Sequence, residues 1–88
     1  MNVDMTSDSA LILYHTDGCH LCEIAEALLA EVVASVGVSF GRVDIATDDG
    51  LIERYGTRIP VVLRVADRAE LNWPFDHRQL DAWLAAPS

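Results

Sequence analysis

Hydrophobic and polar positions follow one another along the chain in blocks that predict alternating strands and helices. The wholly apolar segment Leu11 to Tyr14 predicts a strand that is buried on both faces. Apolar residues then recur at three- and four-residue spacing, which predicts an amphipathic helix that ends at Gly37. The apolar positions of this helix are Leu21, Ala25, Leu28, Val32 and Val36, and Glu23, Glu26 and Glu31 occupy its other side.

The middle of the chain repeats this order on a smaller scale. Loose alternation from Val38 to Ile45 predicts a second strand. Thr47 to Asp49 supply the side chains that cap helix N-termini, so we expect a short helix over 50–55 that Gly56 ends.

The last third predicts a hairpin and a closing helix. Val61 to Val65 is a β-branched run typical of a central strand, and a turn leads from it into Ala69 to Asn72. Asp76 and Gln79 have capping-box spacing and open a helix that should bury Leu80, Trp83 and Leu84. The predicted fold is α/β, with the order β-α-β-α-β-β-α. Its four-stranded mixed sheet has parallel pairing between strands that helices separate, an antiparallel edge and helices on its faces.

Size and charge restrict the classes of function. The chain has 88 residues, enough for a single domain, which we place at residues 11–86 after a flexible N-terminal tail over 1–10. All six basic residues are arginine, and the net charge of -8 argues against nucleic acid and anionic membranes as partners. The first ten residues lack the basic and apolar character of a secretory signal. We therefore expect a cytoplasmic protein, and a monomer.

The only two cysteines, Cys19 and Cys22, are three positions apart. Cytoplasmic thiols are mostly reduced, so such a pair is more typical of catalysis or metal binding than of a structural disulfide. Cys19 falls where the first strand ends and the first helix begins, and unpaired N–H groups at a helix N-terminus favour the reactive thiolate. A protonated His20 would add to this effect, whereas Asp17 and Glu23 would oppose it.

Pro60 directly precedes the predicted central strand. It is either a trans proline that begins the strand or a cis-proline whose bend presents the backbone of Ile59 to a ligand. The frequency of X-Pro isomers favours the trans form, and the pattern of the whole chain favours the cis form.

Three segments, "LYHTDGCHLC", "RVDIATDDGLIERYGTRIPVVL" and "WPFDHRQLDAWL", resemble the small glutaredoxin-like proteins of the thioredoxin superfamily. The resemblance implies a thioredoxin/glutaredoxin-like fold and a thiol–disulfide oxidoreductase that reduces a protein or small-molecule disulfide. It makes Cys19 the nucleophile, Cys22 the resolving cysteine and Pro60 the cis-proline. It also makes Ile59 the residue whose backbone pairs with the bound thiol substrate.

The departures from the glutaredoxin pattern concern the substrate. His20 and Leu21 replace the usual proline and tyrosine between the cysteines, and Thr16 stands where a lysine is common. Trp73-Pro74 replaces the glycine pair that admits the glutathione carboxylate. Glutathione is therefore a possible co-substrate only, and we expect no bound cofactor. The substrate-binding candidates are Ile59, Pro60, Arg58, His20 and Trp73.

Two other classes of function stay open. The fold could serve as a binding or adaptor module that has lost the redox chemistry. A dimer could also carry a metal or cluster between two cysteine pairs. A zinc site within one chain is less favoured, because His15 and His20 are the only further ligands near the cysteines and zinc usually takes four.

Overall fold

The computed structural model describes residues 10–85 and contains the seven predicted elements in the predicted order. The strands are β1 (Leu11–His15), β2 (Phe40–Asp44), β3 (Val61–Arg64) and β4 (Ala69–Asn72), and the helices are α1 (His20–Val36), α2 (Asp49–Tyr55) and α3 (His77–Ala85). A short 3₁₀ turn, Ile45–Thr47, follows β2. Residues 1–9 of the predicted tail and residue 86 of the predicted domain lie outside the described residues. Ala10, which we assigned to the tail, bonds through its backbone to Ser39 and Val65.

The four strands form one mixed sheet in the order β2-β1-β3-β4. β1 and β2 are parallel, as their helical connection predicts, whereas β3 runs antiparallel to both β1 and β4. The expectation that strands separated by helices are parallel is therefore wrong for β3. The reason is length, because the seven residues of α2 span only about 10 Å, too short to return the chain along a five-residue strand of roughly 17 Å. The connection from β2 to β3 stays at one end of the strands, so β3 starts at the end of the sheet where β2 stops.

Alternate residues of the strands supply two hydrophobic clusters, one on each face of the sheet. Leu11, Leu13 and Val62 face α1 and α3, and the fully buried Leu29 and Leu80 cover them from those helices. On the other face, Val61 packs with Ile45 and with Tyr55, the last residue of α2. The molecule is thus a sheet with two helices on one side and a short helix on the other.

The buried face of α1 differs in phase from the predicted one. Leu21 and Val36 were expected inside, but each is 45% exposed, and Leu28 is only half-buried. The residues that are buried are Cys22, Ala25, Leu29, Val32 and Val33. Paired apolar residues, Leu28-Leu29 and Val32-Val33, fit either phase, so the sequence pattern alone does not select one.

The predicted helix ends are confirmed. Gly37 ends α1 with a left-handed φ of 80° and donates its N–H to the carbonyl of Val33. Asp48 caps α2 by accepting the N–H of Gly50 at 2.8 Å. At α3 the capping box is reciprocal, since Asp76 accepts the backbone N–H of Gln79 at 2.7 Å and Gln79 accepts that of Asp76 at 3.0 Å. Trp83 and Leu84 are only partly buried against the core that fully buries Leu80.

Candidate active site

A short loop joins β1 to α1 and positions both cysteines. Gly18 adopts a φ of 78°, a left-handed conformation that glycine reaches without steric cost, and this turns the chain into the helix. Cys19 is the N-cap of α1, with extended backbone, and its Sγ accepts the N–H of Cys22 at 3.2 Å. The Cys19 sulfur therefore lies at the positive end of a 17-residue helix.

The two cysteines are joined as a disulfide within the first turn of α1. Their Cα atoms are 5.2 Å apart, which is inside the usual range for a disulfide. Cys22 is only 3% exposed, whereas Cys19 is partly accessible. An incoming sulfur would therefore reach Cys19 and not Cys22.

A cleft of about 170 Å³ opens beside the disulfide, between the β1–α1 loop, the first turns of α1 and β2. Its lining includes both cysteines, three carboxylates, one arginine and one histidine; the ionisable residues besides the cysteines are Asp17, Glu23, Glu26, Arg42 and His15. Arg42 pairs with Leu13 of the parallel strand β1, and its Nη1 lies 3.2 Å from Glu26. We did not single out Arg42 from the sequence, because only the strand pairing brings it next to the helix that carries the cysteines.

Next to this cleft, Asp44 ends β2 opposite His15, which ends β1. The pKa of Asp44 is lowered chiefly because its carboxylate accepts the backbone N–H of Ala46, at 2.9 Å. The neighbouring side chains of Thr16 and His15 lower this pKa further. Asp44 therefore adds a stable negative charge to the strand ends that border the cysteine loop.

The Ile59-Pro60 segment and the cysteine loop lie at the same end of the strands. Val61 pairs with Tyr14, so Pro60 adjoins the end of β1 that leads into the cysteine loop. Pro60 is buried, and the Ile59-Pro60 peptide bond is in the cis form. The N–H of Ile59 is donated to the carbonyl of Tyr55 at 3.0 Å. The backbone N–H of Ile59 is therefore already used within the protein.

The predicted substrate contact Arg58 is engaged within the protein. Its Nη2 donates to Glu70 at 2.6 Å and to Asn72 at 2.8 Å. Glu70 also accepts the hydroxyl of Tyr55 at 2.6 Å, and these two donors, Tyr55 first and then Arg58, lower the pKa of Glu70. Burial and the neighbouring Glu70 raise the pKa of Tyr55 to about 12. The sequence alone does not indicate a role for Glu70, because there it is one acid on an edge strand. Its two hydrogen-bond partners, Tyr55 and Arg58, lie between β2 and β3 in the chain.

The remaining substrate candidates are His20 and Trp73. His20 is the exposed first residue of α1. Trp73 is half-buried, and its ring meets that of Phe75 edge-on with the centroids 5.1 Å apart. The backbone N–H of Trp73 is donated to the carbonyl of Pro60 at 3.2 Å. That hydrogen bond attaches the Trp73-Pro74 segment to the Pro60 element.

The described part of the chain has neither a cluster of metal-ligating side chains nor a helix that could cross a membrane. Among residues 10–85, no three side chains of histidine, cysteine, aspartate or glutamate are grouped in a way that could hold a metal ion. Within the same residues, no helix is both long enough and apolar enough to span a membrane.

The β-α-β-α-β-β-α sheet with a CxxC pair at its first strand–helix junction defines a small thioredoxin-fold protein of the glutaredoxin-like class. The family model described as Glutaredoxin-like domain (DUF836) matches residues 10–85, and the chain belongs to this family. No curated protein matches the chain.

Solved structures agree with this assignment. The X-ray structure of XcR50 from X. campestris is 46% identical, with a TM-score of 0.79 over 89% of this chain and 100% of that one. The NMR structure of Ne2328 from Nitrosomonas europaea is 27% identical, with a TM-score of 0.72 over 94% and 98%. A glutaredoxin from Archaeoglobus fulgidus is 16% identical, with a TM-score of 0.63 over 89% and 88%, and at that identity the likeness concerns the fold alone.

Proposed function

We propose that this protein is a thiol–disulfide oxidoreductase that uses Cys19 and Cys22 to reduce a protein or small-molecule disulfide. The observation that carries the proposal is the asymmetry of the pair. Cys19 is partly accessible at the N-terminus of α1, while Cys22 is 3% exposed and within disulfide distance. This is the arrangement that attack followed by resolution requires.

The reaction proceeds in two exchanges. The Cys19 thiolate attacks one sulfur of the substrate disulfide, so that a Cys19–substrate bond forms, the substrate S–S bond breaks, and the first substrate thiolate leaves and takes up a proton. The Cys22 sulfur, as thiolate, then attacks Cys19 Sγ, which forms the Cys19–Cys22 disulfide and releases the second substrate thiolate. Two electrons pass from the dithiol to the substrate, and an external thiol restores the dithiol by the same exchange in reverse.

Residues around the cysteines would receive the substrate. The backbone carbonyl of Ile59 beside Pro60 supplies a hydrogen-bond acceptor, Trp73 is bonded through its backbone N–H to Pro60, and His20 is exposed next to Cys19. Arg58 has partners in Glu70 and Asn72, which favours a structural role over substrate contact. Glutathione remains a candidate external thiol in a reducing cytoplasm, and the protein would act as a monomer.

The proposal is tested by equilibrating the protein in glutathione buffers of graded redox poise, quenching with acid and recording intact mass. Wild type should lose two hydrogens across a defined range of poise. Cys22→Ser should accumulate a mixed disulfide at Cys19, and Cys19→Ser should form neither that adduct nor an internal disulfide. The double variant is the control for adducts outside the pair. A wild-type mass that stays that of the dithiol in every buffer would contradict the proposal and leave the binding module as the better reading of the fold.

A further inference from the structure

The cleft beside the disulfide has a marked excess of negative charge. Asp17 precedes Cys19 by two residues, Glu23 directly follows Cys22, and both are exposed side chains that line the cleft. Arg42, the arginine that lines the cleft, is paired with Glu26, so its positive charge is compensated. An approaching substrate therefore meets two carboxylates that no arginine in the cleft offsets; the other basic side chains there are histidines, His15 in the cleft lining and His20 next to Cys19.

This charge acts on the substrate at the step that matters for the rate. A disulfide must bring one sulfur into contact with Cys19, so its substituents lie within roughly 10 Å of Asp17 and Glu23, about one Debye length at moderate salt. Carboxylates at that distance attract cationic substituents and repel anionic ones, in the encounter and in the mixed disulfide.

We propose that Asp17 and Glu23 make the cleft selective for disulfides flanked by cationic groups and select against anionic ones. This inference rests on the proposed redox function and names its substrate class: a disulfide bearing basic side chains or amines close to the sulfurs. Glutathione disulfide, whose halves each carry two carboxylates and one ammonium, is net anionic and should react slowly with Cys19, although it still equilibrates with the cysteine pair in glutathione buffers. Glu26 contributes indirectly, because it neutralises Arg42.

The test compares three small disulfides of different charge as oxidants of the fully reduced protein in single turnover: cystamine (cationic), bis(2-hydroxyethyl) disulfide (neutral) and 3,3′-dithiodipropionate (anionic). Each rate is divided by the rate of the same disulfide with dithiothreitol, which removes differences in intrinsic reactivity. At low ionic strength we expect a preference of about tenfold or more for the cation over the anion, shrinking severalfold in high salt.

Substitutions locate the source of the preference. Asp17→Asn and Glu23→Gln should each reduce the cation-to-anion ratio by about two- to threefold, and Glu26→Gln should reduce it as well by releasing Arg42. Glu31→Gln is the matched control, because Glu31 is exposed on the same helix about 12 Å beyond Glu23 along the axis. Its ratio should stay that of wild type. The rate with the neutral disulfide shows that each variant still reacts through Cys19, and a rise in that rate in Asp17→Asn or Glu23→Gln, expected because these carboxylates oppose the thiolate, cancels in the cation-to-anion ratio.

The outcomes separate this inference from the proposed function. If the protein reduces none of the three disulfides, both the proposed redox function and the substrate preference are overturned. Reduction of all three at equal corrected rates would overturn the substrate preference alone. A ratio that falls as much in Glu31→Gln as in Glu23→Gln would also overturn it, because the effect would then come from net charge and not from the cleft.

Discussion

Three side chains, one phenol and two guanidinium groups, meet at Glu70. Its carboxylate accepts from the Tyr55 hydroxyl and from Arg58, both at 2.6 Å, while Arg54 lies 3.8 Å away. Tyr55 is 3% exposed and stacks on Tyr14 with ring centroids 4.3 Å apart. A buried phenol that donates to a carboxylate resists ionisation, which explains the raised pKa of Tyr55.

The Tyr55 pKa predicts a loss of stability in alkali. Its folded pKa is about 12, above the ordinary value of 10.0, so the stabilisation is complete below pH 10 and is lost as the pH rises toward 12. For the oxidised protein we expect the free energy of unfolding to fall by about 1 kcal/mol between pH 9 and pH 11 from this group. Urea titrations at the two pH values measure it, and the chain has no lysine to titrate in that window.

Two variants serve as comparison. Tyr55→Phe should be less stable at pH 7 but should lose this part of the pH dependence, whereas Tyr14→Phe should keep it. An equal slope in wild type and Tyr55→Phe would show that Tyr55 does not hold its proton through this range.

Arg58 is predicted to stabilise the fold more than it assists the reaction. Arg58→Ala removes both bonds from Nη2 and leaves Glu70 and Asn72 without that donor, so the free energy of unfolding should fall by about 1–3 kcal/mol. Arg54→Ala is the matched control, because its side chain is 68% exposed and its pairing with Glu70 is long, so we expect a change of at most about 0.5 kcal/mol.

Chemical denaturation gives the stabilities, and the reduction rate of the neutral disulfide tests for a role in the reaction. An Arg58→Ala variant of normal stability with a much slower reduction would restore the substrate contact expected from the sequence.

At the level of elements, α1 both packs on the sheet and carries the cysteine pair. Its first turn carries Cys22 inward, and the same face continues through Ala25 and Leu29 onto β1 and β3. This orientation leaves Leu21 at 45% and Ile24 at 39% exposure on the outside. The position of the buried cysteine and the packing against the sheet therefore agree on one rotation of the helix.

That rotation is tested by two leucines that are adjacent in the sequence. Leu29 is 0% exposed, so Leu29→Ala should lower the free energy of unfolding by about 2–5 kcal/mol through lost burial and a cavity. Leu28 is half-buried, so Leu28→Ala should lower it by less than half as much. Urea denaturation of both variants distinguishes the two phases of the helix, and a larger loss in Leu28→Ala would support the phase read from the sequence.

At the level of the whole molecule, the direction of β3 decides where the candidate site lies. Because β3 runs antiparallel to β1, the first residues of β3 and the last residues of β1 lie at the same end of the strands. The cysteine loop and the Ile59-Pro60 segment lie at that end, and Trp73 is bonded to it through its backbone N–H and the Pro60 carbonyl. Had β3 been parallel to β1, Pro60 would lie at the opposite end of the strands, and the two main candidate motifs would have no common site.

The sequence by itself determined the order and type of the elements, their caps at Gly37, Asp48 and Asp76, and the position of the CxxC pair at a strand–helix junction. These features depend on residues close together in the chain, where periodicity, capping chemistry and glycine conformation act locally.

The tertiary structure alone decided the antiparallel direction of β3, the rotation of α1, the contact of Arg42 with Glu26, and the engagement of Arg58 by Glu70. Each of these joins residues distant in sequence, or selects between two arrangements that the local pattern allows equally. Their outcome depends on which surfaces the packed sheet brings together, and no stretch of the chain encodes that alone.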